Sequence, residues 1–136
     1  MALQNNRLSN AAISKISLAG FVLLLLTATH LPPDSSLLPP EEHDIDKVYH
    51  FTAYASLAGL LATAWQLSSG ILTARHLRWT WCAVAIFGAL DEVTQIAVSR
   101  DCSIWDWSAD VTGAAVGIFV FVWLRRKRAV RPTEAQ

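Results

Sequence analysis

Two adjacent acidic residues, Asp91 and Glu92, interrupt an otherwise apolar part of the sequence. Residues 79–90 before them carry no charge, and the apolar residues 96–98 follow closely. The whole run has the length of a membrane-spanning helix, in which an ionised carboxylate near the centre costs about 2.5 to 3.5 kcal/mol. Such groups are tolerated where they face a bundle interior and have polar partners. The pair therefore predicts a helix bundle whose other members supply those partners.

Four long apolar segments account for a hydrophobic content of 53% and a mean hydropathy of +0.34. We predict an all-α bundle of four transmembrane helices at approximately residues 11–31, 48–67, 79–98 and 104–124. A signal peptide is the competing interpretation of the first segment, but no clear small-x-small cleavage motif follows it. A proline-rich, acidic loop is expected after this segment, before Asp46.

The predicted bundle occupies residues 11–124, between an N-terminal segment, residues 1–10, and a basic tail, residues 125–136. Nine of the eleven lysines and arginines lie at the bundle end that holds both termini, whereas ten of the eleven acidic residues lie at the opposite end or near it. The positive-inside rule then predicts a multi-pass cell-membrane protein with both termini in the cytoplasm. The basic run 125–128 is interpreted as a topology determinant that contacts membrane lipids, not nucleic acid.

Helical spacing places polar side chains of the second and third spans on common faces. Asp46, His50 and Tyr54 follow one another at intervals of four residues, and so do Asp91 and Gln95. With a rise of about 1.5 Å per residue, Asp91 lies roughly 20 Å into a hydrocarbon layer about 30 Å thick. This depth corresponds to the outer part of the membrane, at the level where the second span begins.

The fourth span carries a similar face. Asp106 and Asp110 are four residues apart, and Gly113 and Gly117 continue the same face toward the cytoplasmic side. A Gly-x-x-x-Gly motif lets the backbone of a neighbouring helix approach closely. We therefore expect the two carboxylates to point into the bundle.

These patterns resemble the VanZ-like membrane proteins over roughly residues 46–117. The resemblance rests on Asp46-Lys47-x-x-His50 with Tyr54, on Asp91-Glu92-x-x-Gln95, on Arg100, and on Asp106 with Gly113 and Gly117. Asp110 stands where the family pattern usually has asparagine. The resemblance implies a small polytopic membrane protein from a family in which some members are associated with resistance to the lipoglycopeptide teicoplanin. It implies no particular reaction.

We predict one site near the outer membrane face, built from all three polar spans. Catalytic roles are assigned to Asp91, Glu92, His50 and Asp106, and binding roles to Asp46, Lys47, Tyr54, Gln95, Arg100 and Asp110. Lys47 and Arg100 are expected to neutralise two of the acids. The competing interpretation is a salt-bridged network that only holds the helices together.

The chemistry of such a site stays open at this point. Its acids and histidine can bind a divalent cation that acts on a phosphate or pyrophosphate, or they can work directly as acid and base. The expected ligand is a lipid-linked envelope precursor or a glycopeptide. A small proton-coupled transporter and a non-catalytic structural or assembly protein are the alternatives, although four spans without an inverted repeat disfavour transport.

The charge distribution makes a direct prediction about topology. A reporter enzyme that is active only outside the cytoplasm, fused after Gln136, should be inactive in intact cells. The same reporter inserted beside Cys102, in the predicted outer turn, should be active. Activity of the C-terminal fusion would mean that the bundle has the opposite orientation.

Overall fold

The computed structural model of the protein describes residues 2–31 and 43–130. Its four helices are α1, Ala2–Thr29; α2, His43–Ser69; α3, Ala74–Gln95; and α4, Ile104–Val130. A 3₁₀ turn, Ile96–Val98, directly follows α3, and the described part of the chain contains no strand. The predicted all-α, four-helix, membrane-type bundle is thus confirmed. Residues 32–42 of the expected loop, which the sequence predicts from Leu31 to Asp46, and the end of the tail, residues 131–136, lie outside the described residues.

All four helices extend beyond their predicted limits, since α1 begins at Ala2 and α3 at Ala74, before the predicted starts at residues 11 and 79. α2 begins at His43, inside the segment that the sequence predicts as loop, and α4 continues past the basic run 125–128. Lysine and arginine are good helix formers, and positive charge is favourable near a helix C-terminus. The basic run therefore ends the apolar part of α4 without ending the helix.

A short turn connects α3 to α4. Ser99 has a left-handed backbone conformation, with φ of 62°, which reverses the chain after the 3₁₀ turn. Ser103 precedes α4, and its Oγ accepts a hydrogen bond of 3.3 Å from the N–H of Asp106. The turn predicted at residues 99–103 is present, and it holds the end of α3 beside the start of α4.

The helix α2 is central to the bundle, because it packs against all three other helices. Its most extensive packing is with α4, while α1 packs mainly against α2 and only slightly against α3. Within the described residues, α1 and α4 have no close backbone contact. We call the end of the bundle where α1 and α3 finish and α2 and α4 begin the acidic end.

The helices α2 and α4 approach each other closely at two glycines of α4. A Cβ atom on Gly113 would overlap the backbone carbonyl of Phe51, and one on Gly117 would overlap that of Ala55. The Gly-x-x-x-Gly motif thus provides the close approach that the sequence predicts. This contact fixes the alignment of α2 with α4, including that of their polar residues nearer the acidic end.

In the described part of the chain, three segments are long and apolar enough to cross a membrane: Leu8–Thr29, Ala74–Val98 and Ile104–Ala129. α2 is not among them, since its sequence mixes apolar residues with serine, threonine, tyrosine and glutamine. Its central position explains this composition, because neighbouring helices cover much of its surface. The protein has the helices of a membrane protein, and the crossing by α2 stays a prediction.

Gly117→Ala is expected to destabilise the bundle, because the added methyl group would overlap the carbonyl oxygen of Ala55. Overpacking of this kind costs about 1 to 3 kcal/mol. The measurement is the apparent melting temperature of the purified protein in detergent. Gly59→Ala is the matched control, since a Cβ atom there meets nothing within 4 Å, and it should not lower the melting temperature. Equal melting temperatures for the two variants would contradict the close approach.

Candidate functional site

The acidic end brings together polar side chains from α2, α3, α4 and the α3–α4 turn. On α2, His50 and Tyr54 are buried and Asp46 is half-buried. The predicted site residues of α3 and α4 are all buried: Asp91, Glu92, Gln95, Asp106 and Asp110. Lys47 and Arg100 are half-buried at the rim. The structure therefore gathers all the predicted residues at one end of the bundle, and their functional roles stay predictions.

Asp91 is the centre of a hydrogen-bond network that joins three helices. Its Oδ2 accepts from the hydroxyl of Tyr54 at 3.1 Å and from Nε2 of Gln95 at 3.4 Å. Its Oδ1 accepts from the hydroxyl of Thr29, at the end of α1, at 3.0 Å. Nδ1 of His30 lies 3.6 Å from the same oxygen. Both oxygens of this buried carboxylate have donors, and the network links α1, α2 and α3.

A second group of side chains surrounds His50 and joins α2, α3 and α4. Nδ1 of His50 lies 2.9 Å from Oδ1 of Asp110 and 3.8 Å from Oε1 of Glu92. The other oxygen of Glu92, Oε2, accepts a hydrogen bond of 2.8 Å from the backbone N–H of Ser103. We call His50, Glu92 and Asp110 the His50 cluster. An imidazole beside two carboxylates can transfer a proton or help to hold a cation.

The two basic residues of the site pair with acids at its rim. Nζ of Lys47 lies 3.7 Å from Oδ1 of Asp106, and a terminal guanidinium nitrogen of Arg100 lies 3.9 Å from Oδ1 of Asp46. The sequence-based expectation that these residues neutralise two acids agrees with these distances. Both pairs are partly accessible to solvent, so their net effect on stability is modest.

Gly88 on α3 leaves space for two of the site's side chains. A Cβ atom at this position would lie 2.9 Å from Oδ2 of Asp110 and 3.1 Å from Cε1 of Tyr54. The ring of Tyr54 in turn stacks on that of His50, with centroids 6.3 Å apart and an interplanar angle of 10°. A larger residue at position 88 would therefore displace the carboxylate or the tyrosine ring.

Four contributors to the site are absent from the sequence-based prediction: Thr29, His30, Gly88 and Ser103. Thr29 and His30 could have been found, because they are polar residues at the end of the first span, at the expected level of Asp91. Ser103 acts through its backbone N–H and Gly88 through the lack of a side chain. Neither property appears in a pattern of polar side-chain spacing.

Among the described residues, two sets of three side chains have donor atoms suited to a metal ion. The His50 cluster is one, and Asp46, His50 and Asp106 form the other, with the donor atoms of each set within 4.8 Å of one another. His50 belongs to both sets. A mixed imidazole and carboxylate donor set is compatible with several divalent cations.

A cavity of about 470 Å³ lies between α1 and α2, and we call it the α1–α2 groove. Apolar side chains of both helices form most of its wall, among them Phe21, Leu24, Leu25, Ala28 and Ala53. Its lining also includes polar residues of the acidic end, namely Asp46, His50 and Arg100. An apolar wall thus adjoins the polar site.

The sequence profile of the VanZ/LLP1 family matches residues 3–125 of the chain. No curated protein and no solved structure matches the chain. The matched segment contains nearly all of the four helices and every residue of the acidic end discussed above.

Tyr54→Phe is expected to destabilise the protein, because it removes a buried hydroxyl donor to Asp91 while it keeps the ring. The loss of a hydrogen bond to a charged group costs about 1.5 to 3 kcal/mol. The apparent melting temperature in detergent is the measurement, and Tyr49→Phe on the exposed face of α2 is the control, which should leave it unchanged. In a double-mutant cycle with Asp91→Asn, additive effects would contradict a direct interaction.

Proposed function

The chain belongs to the VanZ/LLP1 family of membrane proteins, and we propose that it binds an amphiphilic ligand of the cell envelope at its acidic end. The ligand class is a lipid-linked envelope precursor or a teicoplanin-type glycopeptide, in which a polar head group is joined to a hydrocarbon chain. The observation that carries the proposal is the α1–α2 groove, whose apolar wall adjoins polar residues of the site.

The apolar wall of the groove suits a hydrocarbon chain. Its α1 side extends from Phe21 to Ala28, which corresponds to about 10 Å at a rise of about 1.5 Å per residue. α1 is held mainly by α2, so the groove lies at a boundary between two helices that borders lipid in a membrane. The chain of a membrane-held ligand can enter such a groove without leaving the apolar phase.

The polar residues of the groove suit a head group. The guanidinium of Arg100 lies at the rim beside Asp46, where the pair is partly open to solvent. A guanidinium binds phosphate or carboxylate through two parallel hydrogen bonds, and a carboxylate accepts hydrogen bonds from sugar hydroxyls or amides. His50 is buried and forms part of the groove lining beyond this rim.

The charge distribution supports an outward-facing site. The positive-inside rule places the acidic end outside the cytoplasm, where lipid-linked precursors are used and glycopeptides arrive. A multi-pass protein of the cell membrane with both termini in the cytoplasm is part of this proposal. Capture of the drug or of its lipid-linked target would lower the drug's access to that target, which is a route to resistance.

A structural role has specific support for one residue, Asp91. Both of its oxygens accept hydrogen bonds from neighbouring helices, so its carboxylate has few free positions for a ligand. Glu92 and Asp106 differ, since each has a buried oxygen without a hydrogen-bond partner among the described residues. We therefore assign contact with the ligand to the groove residues Asp46, His50 and Arg100, and a positioning role to Asp91. Glu92 and Asp106 do not line the groove.

A binding experiment with a filled groove tests the proposal. The full chain in lipid nanodiscs should bind a polyprenyl pyrophosphate or teicoplanin more tightly than it binds phosphatidylglycerol. Ala53→Phe places a ring at the groove wall and should weaken this binding by about 10-fold or more. Affinity can be followed by intrinsic tryptophan fluorescence, because the chain contains six tryptophans.

The control is Ala83→Phe, the same substitution at an exposed position of α3 that does not line the groove. It should leave the affinity unchanged. If neither ligand binds better than phosphatidylglycerol, or if the two variants weaken binding equally, the groove is not the binding site.

A further inference from the structure

Three buried carboxylates at the acidic end each leave one oxygen without a hydrogen-bond partner in the described part of the protein. The oxygens are Oε1 of Glu92, Oδ2 of Asp110 and Oδ1 of Asp106, of which the last lies 3.7 Å from Nζ of Lys47, beyond hydrogen-bond distance. The residues are 3%, 0% and 9% exposed, respectively, so bulk water does not satisfy these atoms. Burial of a carboxylate without full compensation is costly, and such groups are expected to pair or to coordinate metals.

The lack of hydrogen-bond partners does not extend to Asp91, so it is specific to one part of the site. It directly precedes Glu92 on α3 and is equally buried, but both of its oxygens accept hydrogen bonds. A network whose only role is to hold helices together would be expected to satisfy Glu92 as well. The free oxygen of Glu92 instead lies 3.8 Å from Nδ1 of His50, toward the other members of the His50 cluster.

We propose that the His50 cluster, with Asp106 nearby, binds one divalent cation of the borderline class that Mn²⁺ and Zn²⁺ represent. The donor atoms of His50, Glu92 and Asp110 lie within 4.8 Å of one another. Ligand atoms about 2.1 Å from a common ion lie at most about 4.2 Å apart, so small side-chain adjustments close the site. The proposal concerns the ion alone and does not depend on the ligand of the α1–α2 groove.

The donor types select the class of ion. One imidazole nitrogen among carboxylate oxygens favours a first-row transition cation or zinc over Ca²⁺, which prefers six to eight oxygen ligands. The two carboxylates of the cluster, with a neutral imidazole, match the charge of a divalent ion. The N–H of Ser103 binds the second oxygen of Glu92, which orients the first oxygen toward the cluster.

Metal binding by the full-length protein tests the proposal. The purified protein in detergent is stripped with a chelator, reloaded with MnCl₂ or ZnCl₂, and analysed for bound metal and for affinity by titration calorimetry. One ion per chain should bind saturably, with Ca²⁺ and Mg²⁺ at least about 10-fold weaker. Glu92→Gln and His50→Gln should each lower the affinity by about 10-fold or more.

Asp101→Asn is the matched control, because Asp101 is an exposed carboxylate of the α3–α4 turn outside both metal-compatible sets. It should bind the ion as the wild type does. Binding that is absent, or that Glu92→Gln and Asp101→Asn retain equally, would overturn the proposal.

A spectroscopic measurement on the wild type keeps the test valid if a variant fails to fold. Electron spin-echo spectra of the Mn²⁺-loaded protein should contain the nitrogen coupling of one imidazole ligand. Bound Mn²⁺ without such a coupling would rule out His50 as a ligand and with it the proposed site.

Discussion

The backbone contact between α2 and α4 is the constraint on which the acidic end depends. Gly113 and Gly117 have no side chain, so α2 can lie directly against α4. Both helices begin at the acidic end. Their contact at these two glycines therefore also determines which residues of α2 and α4 face each other near the N-termini of the two helices. The 2.9 Å distance between His50 and Asp110 follows from this alignment. A side chain on a helix whose backbone is fixed against its neighbour is positioned more accurately than a side chain on a loop.

The adjacent acids Asp91 and Glu92 have different surroundings because successive residues of a helix point about 100° apart. Asp91 faces α1 and α2, where Thr29 and Tyr54 donate to its two oxygens. Glu92 faces His50 and the start of α4, where one oxygen has a donor and the other has none among the described residues. The first acid is thus suited to hold the bundle together, and the second to contact an ion.

Much of this arrangement could be predicted from periodicity. Intervals of four residues correctly place His50 and Tyr54 on one face of α2, and Asp106 and Asp110 on one face of α4, all of them buried. Apolar length predicts the number of helices, although α2 is less clearly a membrane span because the other helices cover much of it.

The remaining features could not be predicted, since side-chain spacing does not record backbone chemistry. The donor to Glu92 is a backbone N–H of the α3–α4 turn, and the space for Asp110 comes from a missing side chain at Gly88. Periodicity also does not predict which of two adjacent acids, Asp91 or Glu92, has hydrogen-bond donors for both of its carboxylate oxygens. Asp91 differs from Glu92 partly because Thr29 donates to it, and Thr29 ends α1, a helix from which the sequence predicts no site residue.

His50 connects the α1–α2 groove with the His50 cluster, because it lines the first and belongs to the second. The site holds more carboxylates than basic side chains, with only Lys47 and Arg100 against five acids: Asp46, Asp91, Glu92, Asp106 and Asp110. A divalent cation would balance this excess of negative charge and would add to the attraction of the Arg100 guanidinium for a phosphate head group. A glycopeptide that presents hydroxyl, amide or ammonium groups needs no such ion. The dependence of ligand affinity on the cation therefore distinguishes the two ligand classes by charge alone.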